Sequence, residues 1–186
     1  RLCRDWSSDV CSSDLPAQRG RIKQELLNLG FPVADLAGYV PGGSLAVALR
    51  SRTAGDRPFG LRAYQEEAVA AFYAGGSAAG GSGVVVLPCG AGKTMVGLGV
   101  MAAVAAETLI LTTNTIAVRQ WLAELLDKTD LDASMIGEYT GERKEIRPVT
   151  VTTYQILTWR RRETEGFPHL ELFGAKDWGL IVYDEV

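Results

Sequence analysis

The sequence predicts an α/β domain in which a parallel β-sheet is flanked by helices. Apolar runs such as 108–112 and 180–183 have the length of buried strands, and segments with apolar residues at helical spacing lie between such runs. A glycine-rich turn at 88–94 joins an apolar run at 83–87 to an Ala-rich segment at 95–106, as in a strand–turn–helix unit. The alternation of apolar strands with helices is typical of parallel sheets that are covered on both faces.

Each predicted element follows from a local pattern. Short apolar runs predict strands at 44–49, 83–87, 108–112, 149–151 and 180–183. Apolar residues three and four apart predict helices at 22–29, 61–74, 95–106 and 116–126. In the second of these helices, the side chains expected to face the core are Tyr64, Ala68, Val69 and Phe72. The glycine-rich stretch 75–83 is predicted to be a flexible loop, and 54–58 to be a linker.

The composition is that of a globular protein. The chain has 186 residues, of which 47% are hydrophobic and 22% charged, so one domain can bury a core. The net charge of −3 does not support nucleic-acid binding through overall charge, which would need a local basic patch. No apolar run reaches the roughly 18 residues of a membrane helix, so no membrane association is expected. The three cysteines show no spacing typical of a metal or disulfide site, which favours a reducing cytoplasm.

Residues 1–15 are predicted to be foreign to the fold. Trp6-Ser7-Ser8-Asp9-Val10 is nearly repeated as Cys11-Ser12-Ser13-Asp14-Leu15, with neither a helix nor a strand period and no apolar signal-peptide core. The segment resembles translated sequencing-adapter DNA, and we expect it to be disordered. A native disordered N-terminus is the alternative.

The stretch 87–94 is typical of a phosphate-binding loop. Such a turn directs backbone N–H groups and a helix N-terminus at one point. The Lys93 ammonium would contact the β- and γ-phosphates of a nucleotide, and the Thr94 hydroxyl would be a ligand of Mg²⁺. The first position is Leu87 rather than glycine, so the strict pattern is not met and an ordinary turn is the alternative. The loop residues expected to surround the phosphates are Pro88, Cys89, Gly90, Ala91 and Gly92.

A second half of the nucleotide site is predicted where Asp184 and Glu185 follow the last apolar run. In P-loop enzymes the first acid holds Mg²⁺, and the next orients or deprotonates the attacking water. Mg²⁺ keeps several waters, so Asp184 together with Thr94 suffices as the protein's ligands. An acid pair after a strand is a weak signal alone, but its position about 90 residues after the P-loop strengthens it. Upstream, the Gln65 amide could read an adenine edge or could lie solvated on a helix surface.

Together these elements resemble the XPB-type (xeroderma pigmentosum group B) DNA helicases of superfamily 2, in their bacterial branch. The match runs from about residue 19 to residue 186. The segments that carry it are Leu61-Arg62-Ala63-Tyr64-Gln65, 86–94, 108–114, Arg119-Gln120-Trp121, 137–144, Thr152-Thr153-Tyr154-Gln155 and 182–186. The last of these is similar to a DEVH box without its His.

The resemblance implies a RecA-like motor that uses ATP and Mg²⁺ to move on DNA with 3′-to-5′ polarity. It divides the chain into a remnant of a preceding N-terminal domain plus a linker at 16–57, and an incomplete first RecA-like domain at 58–186. It places Arg62 and Gln65 on the nucleotide, and it makes Glu185 the catalytic base.

The resemblance also implies DNA-backbone contacts with little sequence specificity, since hydroxyls and amides can position a phosphate without reading a base. The residues in the corresponding segments are Asn114, Arg119, Gln120, Thr152, Thr153 and Tyr154. A second RecA-like domain and a repair nuclease are the expected protein partners.

Several parts of such a motor are absent from this sequence: the His of the box, the Ser/Thr-Ala-Thr coupling motif, and the second RecA-like domain with its arginine fingers. In relatives, the strand with the coupling motif lies between the P-loop strand and the Asp-Glu strand. We therefore expect a gap in the sheet with unpaired backbone groups on both sides, and an isolated chain without activity. A restriction-enzyme-type DNA translocase subunit and a non-catalytic nucleotide-binding stub are the alternative functions.

Basic and aromatic residues outside these motifs have open roles. Arg160-Arg161-Arg162 could bind phosphate, although nearby glutamates make a solvated mixed face an equal alternative. Trp159 could stack on a base. Trp121 lies at helical spacing with Leu125 and is expected in the core. His169 has no partner in the sequence and is assigned no role.

Overall fold

The computed structural model describes residues 24–26, 28–30, 42–76, 80–160 and 166–185, and it confirms the α/β prediction. The described strands form one four-stranded parallel sheet in the order β2–β3–β1–β4. They are β1 (Thr108–Thr112), β2 (Ile136–Tyr139), β3 (Val149–Thr153) and β4 (Leu180–Tyr183).

Helices connect these strands. The α-helices are α1 (Ala63–Tyr73), α2 (Lys93–Val104), α3 (Thr115–Lys128) and α4 (Tyr154–Leu157). Short 3₁₀ helices lie at Ala74–Gly76, Ala133–Met135 and Pro168–Gly174. None of the helices in the described ranges is long and apolar enough to cross a membrane.

The chain divides into two compact units, Arg1–Ala37 and Gly38–Val186. In the first unit, residues 24–26 and 28 are helical and the Leu29 N–H donates to Glu25 O at 3.0 Å, as the periodicity of 22–29 predicts. The predicted adapter segment 1–15 lies outside the described residues.

The centre of the sheet is buried on both faces because successive apolar side chains of β1 point to opposite faces. Ile110 belongs to the larger core cluster, with Val149 and Val151 of β3. Leu109 and Leu111 point to the opposite face and belong to a second cluster. A strand that is apolar at successive positions therefore fits a sheet with cover on both sides.

The strand predicted at 83–87 is wrong. The segment has no assigned secondary structure and pairs with no described strand, and Val84 and Val86 are 89% and 86% exposed. A cavity of about 560 Å³ separates it from β4, with Val96, Val100 and other apolar side chains in its lining. The expected gap in the sheet is thus present between these two segments.

Two further sequence predictions need correction. The strand predicted at 44–49 forms only isolated bridges, Ser44 with Ala106 and Leu49 with Thr129, although Leu45 is buried as the alternation predicts. Strand β2 was not predicted, because Gly137 and Glu138 interrupt its apolar pattern.

The inward face of α1 also differs from the prediction at one position. Ala68, Val69 and Phe72 pack against the core as expected. Tyr64 is exposed instead, and its neighbour Gln65 is buried. The reason lies in the contacts that both residues make with the P-loop.

Candidate nucleotide site

The P-loop makes a tight turn that depends on glycine. Gly90 and Gly92 have φ angles of +77° and +79°, in the left-handed region that other residues enter at a cost of about 1–2 kcal/mol. A Cβ on Gly92 would also lie 2.6 Å from Gln65 Nε2. The Ala91 N–H donates to Pro88 O at 3.2 Å and closes the turn.

Helix α2 begins directly after this turn. Its N-cap is Gly92, which provides no side-chain cap. The Met95 N–H donates to Gly92 O at 3.0 Å, so the N–H groups of Lys93 and Thr94 are the ones that an anion could engage. Lys93 and Thr94 are the first two residues of the helix and are half-buried. The sequence predicted this arrangement of the loop and the helix.

Helix α1 supports the P-loop through two neighbouring side chains. The Gln65 Nε2 donates to Ala91 O at 2.9 Å, and its Oε1 accepts from the Arg62 N–H at 2.9 Å. The Tyr64 hydroxyl donates to the same Ala91 carbonyl at 2.6 Å. Sequence reasoning missed this bracing role. Adenine recognition by Gln65 and Arg62 stays a prediction, and the amide oxygen of Gln65 already has a partner within the protein.

The two acids after β4 lie beside the P-loop helix. Glu185 Oε1 is 3.9 Å from Lys93 Nζ, and both side chains are accessible to solvent. Glu185 has a φ angle of +57°, a left-handed conformation that costs a residue with a Cβ about 1–2 kcal/mol. Such strain is often found at functional sites. The structure therefore brings together the two halves of the site that the sequence predicted.

Asp184 is oriented by a tryptophan. Trp121 Nε1 donates to Asp184 Oδ2 at 2.7 Å, and the Asp184 N–H donates to Leu111 O at 2.9 Å. The indole is buried in the larger core cluster, which confirms the core prediction for Trp121. It also touches α2, since a Cβ on Gly97 would lie 2.5 Å from the indole Cη2. Nothing in the sequence signalled the bond to Asp184.

Tyr154 also belongs to the surroundings of Asp184. Its hydroxyl donates to Asp184 O at 3.3 Å, and its ring stacks on Tyr183 with centroids 6.4 Å apart. Burial, and then the nearby Asp184 carboxylate and Tyr183, raise the pKa of the Tyr154 phenol above its usual value. The phenol therefore stays protonated and can donate this hydrogen bond.

Besides Tyr154, described above, the residues predicted to contact DNA fall into two groups. Asn114, Arg119 and Gln120 lie exposed at the start of α3, where Asn114 Oδ1 caps the helix by accepting from the Ala117 N–H at 2.9 Å. Thr152 and Thr153 are buried, and the Thr153 hydroxyl caps α4. The side chains of Thr152 and Thr153 thus lie inside the sheet, and their contact with a DNA backbone stays a prediction.

The oxygen donors of the site fit Mg²⁺ bound together with a nucleotide. Among the described residues, no group of three or more His, Cys, Asp or Glu side chains could hold a metal alone. Mg²⁺ is usually bound by one or two protein oxygens, with waters and substrate phosphates as the other ligands. The Thr94 hydroxyl and Asp184 Oδ1 can provide such ligands, since Trp121 engages only Oδ2.

A family match shows which protein family the chain belongs to. Residues 58–186 match the family described as "Type III restriction enzyme, res subunit". The chain belongs to this family. The matched range includes the four described strands and the candidate site residues.

Curated relatives show which members of the family the chain is similar to. The "DNA 3'-5' helicase XPB" of Kineococcus radiotolerans is 56% identical over 171 residues, which are 92% of this chain and 28% of that protein. The protein of the same name from Mycobacterium tuberculosis is 54% identical over 172 residues, 92% of this chain and 29% of that protein. The "Putative DNA 3'-5' helicase Rad25" of Haloarcula marismortui is 41% identical over 165 residues, 89% of this chain and 23% of that protein. These identities confirm the resemblance to XPB-type helicases, of which the chain spans less than a third.

Proposed function

We propose that this chain is the ATP-binding front part of the motor of a DNA 3′-to-5′ helicase or translocase. The observation that carries the proposal is the approach of Glu185 to Lys93 within 3.9 Å, which joins two motifs from distant parts of the sequence. The high identity to proteins named as DNA 3'-5' helicases supports the substrate and the polarity. A cytoplasmic location and a repair nuclease as partner stay predictions.

The site residues divide the work of phosphoryl transfer. The Lys93 ammonium neutralises charge on the phosphates, and the N–H groups at the start of α2 bind their oxygens. Thr94 and Asp184 hold Mg²⁺, which when bound neutralises charge that develops on the phosphate oxygens. Glu185 orients and deprotonates the attacking water, and Trp121 keeps the Asp184 carboxylate in place.

The isolated chain is proposed to bind ATP weakly and to hydrolyse essentially none. Lys93 lies in α2, and Glu185 follows β4. Because the cavity lies between 83–87 and β4, no strand pairing links the segment before α2 to β4. Their separation is therefore not fixed by a continuous sheet. A second RecA-like domain would add arginine fingers, which are worth about 10³–10⁵ in rate.

The test is the DNA-stimulated ATPase rate of a complete protein that carries this segment. We expect Lys93→Ala to reduce the rate by about 10³-fold or more, because the charge on the phosphates is lost. Lys128→Ala is the control, since Lys128 lies at the end of α3 in ion pairs with Glu124 and Asp127. A Lys93→Ala enzyme with undiminished turnover would refute the site assignment.

The second candidate is a translocase that moves on DNA without separating strands. The family description, which names a restriction-enzyme subunit, favours it. A strand-displacement assay on a duplex with a 3′ overhang distinguishes the two functions. Release of the displaced strand supports the helicase, whereas DNA-stimulated ATP hydrolysis without release supports the translocase.

A further inference from the structure

An aromatic cluster lies beside the carboxyl ends of β2 and β3. The Tyr139 hydroxyl and His169 Nδ1 are 2.9 Å apart, and their rings meet edge to face with centroids 5.8 Å apart. The Trp159 ring lies 5.8 Å from the His169 ring at an angle of 47°. We call Tyr139, Trp159 and His169 the aromatic platform. The nucleotide site uses none of these three residues.

The outer member of the platform is open to solvent. Trp159 is 52% exposed, although an indole is among the most apolar side chains. Phe167 nearby in sequence is also exposed. Exposed aromatic surface of this kind is typical of a site that binds a ligand or a partner.

The platform is held in place by its own contacts. The Trp159 N–H donates to Ile156 O at 3.2 Å, which ties the residue to the end of α4. His169 lies in the 3₁₀ helix Pro168–Gly174 and is bridged to β2 by Tyr139. The rings of Tyr139 and His169 are thus joined by a hydrogen bond and the Trp159 backbone is anchored beside them, which reduces the conformational entropy lost on binding.

Two cations accompany the aromatic rings. Lys144 Nζ lies 4.6 Å from the centroid of the Tyr139 ring, and the Arg160 guanidinium lies 5.3 Å from that of Phe167. Carboxylates are also near. Glu138 accepts a hydrogen bond from the Thr140 hydroxyl, and burial, followed by the negative charge of Glu171, raises the pKa of the Tyr139 phenol. Aromatic faces next to cations are the combination with which proteins bind single-stranded nucleic acid.

The position of the platform agrees with this ligand. Tyr139 is the register partner of Thr152, and Thr153 in turn pairs with Thr112 at the end of β1. The exposed Asn114 follows that strand end directly. The platform therefore lies at the same carboxyl end of the sheet as the start of α3, where the proposed DNA contacts begin.

We propose that Trp159, supported by His169 and Tyr139, stacks on a base of single-stranded DNA, and that Lys144 and Arg160 contact the flanking phosphates. The proposal rests on the proposed DNA motor and adds a contact to the base face of one strand. Stacking is tolerant of sequence because every base has a π face.

Fluorescence anisotropy of the full 186-residue chain with a labelled oligothymidylate of about 20 nucleotides tests the stacking contact. We expect Trp159→Ala to weaken binding by about fivefold or more, and Trp159→Phe to retain most of the affinity. Leu126→Ala is the matched control, since it removes from α3 an apolar side chain that is 41% exposed, against 52% for Trp159. Equal affinities of wild type and Trp159→Ala would overturn the proposal, as would equal losses on single-stranded and duplex DNA.

Photocrosslinking of the wild-type chain provides a readout that does not depend on variant folding. An oligothymidylate with one 5-iododeoxyuridine, irradiated in the complex, should crosslink to Trp159 or His169, as identified by mass spectrometry of the peptides. Crosslinks confined to other segments would overturn the platform. The motor proposal is tested separately: loss of ATPase in Lys93→Ala with unchanged DNA binding in Trp159→Ala overturns only the platform.

Discussion

At one edge of the sheet β2 is covered by the chain that follows it, whereas at the other edge β4 faces a cavity. The Glu145 N–H donates to Glu138 O at 3.0 Å, and the Thr140 N–H donates to Arg143 O at 2.7 Å, so the segment after β2 folds back along it. At the opposite edge Tyr183 is exposed, and beyond the cavity the apolar segment 83–87 has no strand partner in the described part of the chain.

The comparison shows what makes an apolar run a strand. Both 83–87 and Thr108–Thr112 are apolar, but only the second has neighbouring strands that accept and donate its backbone hydrogen bonds. A buried backbone group without a partner costs about 1–3 kcal/mol, so an unpaired segment stays in contact with water. The open edge is also the one that carries both halves of the nucleotide site.

Hydrogen exchange should show the largest difference between the paired and the unpaired segments. We expect the amides of Leu109 to Leu111 to be protected by about 10³-fold or more, since they open only with global unfolding. The amides of Val84 to Val86 should exchange at nearly the rate of an unfolded peptide. Exchange measured by NMR on the 186-residue chain checks this, and slow exchange at 84–86 would show that the segment is paired after all.

Truncation of one apolar side chain in each segment gives the next largest effect. Ile110→Ala should lower the free energy of unfolding by about 2–5 kcal/mol, because it leaves a cavity in the core. Val84→Ala should change it by less than about 0.5 kcal/mol, because the side chain is already in water.

Urea denaturation followed by far-UV circular dichroism measures both variants. Ile110→Val, with an expected loss of about 0.5–1.5 kcal/mol, keeps the comparison measurable if the alanine variant does not fold. Similar losses for Val84→Ala and Ile110→Val would contradict the exposed position of 83–87.

A glycine substitution tests the covered edge. A Cβ on Gly137 would lie 2.5 Å from Glu145 O, so Gly137→Ala must push the covering segment away from β2. We expect a loss of about 1–3 kcal/mol in the free energy of unfolding. Gly141→Ala is the control, because no atom lies within 4 Å of its added Cβ. If the two variants are equally stable, the covering segment is not packed against β2.

Residue chemistry and spacing were sufficient to predict which residues meet at the candidate site. Lys93 and Thr94 follow a turn whose glycines need positive φ, and Asp184 and Glu185 follow an apolar run, so both halves could be located from local signals. The strands β1 and β4 were predicted for the same reason. The 83–87 run carries the same signal, and it failed as a strand because no described strand lies beside it and a cavity separates it from β4.

Contacts between distant residues account for the other errors. Tyr64 is exposed and Gln65 is buried, the reverse of the prediction, because the Ala91 carbonyl accepts hydrogen bonds from both side chains. The burial of Thr152 and Thr153 was not predicted either, since hydroxyls suggest a surface although β-branched side chains pack well inside a sheet. The bond from Trp121 to Asp184 joins residues 63 positions apart, and no periodicity predicts it.

The smallest expected effect concerns His169, the single histidine of the chain, which contacts the covered edge through Tyr139. Burial, and then the positive charge of Lys144, lower the pKa of its imidazole below 6.5. As the pH falls through 6.5 the unfolded chain therefore binds the proton first, and the folded state loses stability until the pH reaches the folded pKa. Lys144→Gln should raise the titration midpoint of His169 by a fraction of a pH unit and reduce this loss, because the repulsion of the imidazolium is removed. An NMR titration of the imidazole resonances checks this. A midpoint that does not rise in Lys144→Gln would show that the charge of Lys144 does not affect His169. A wild-type midpoint above 6.5 would show that burial does not lower the pKa of the imidazole.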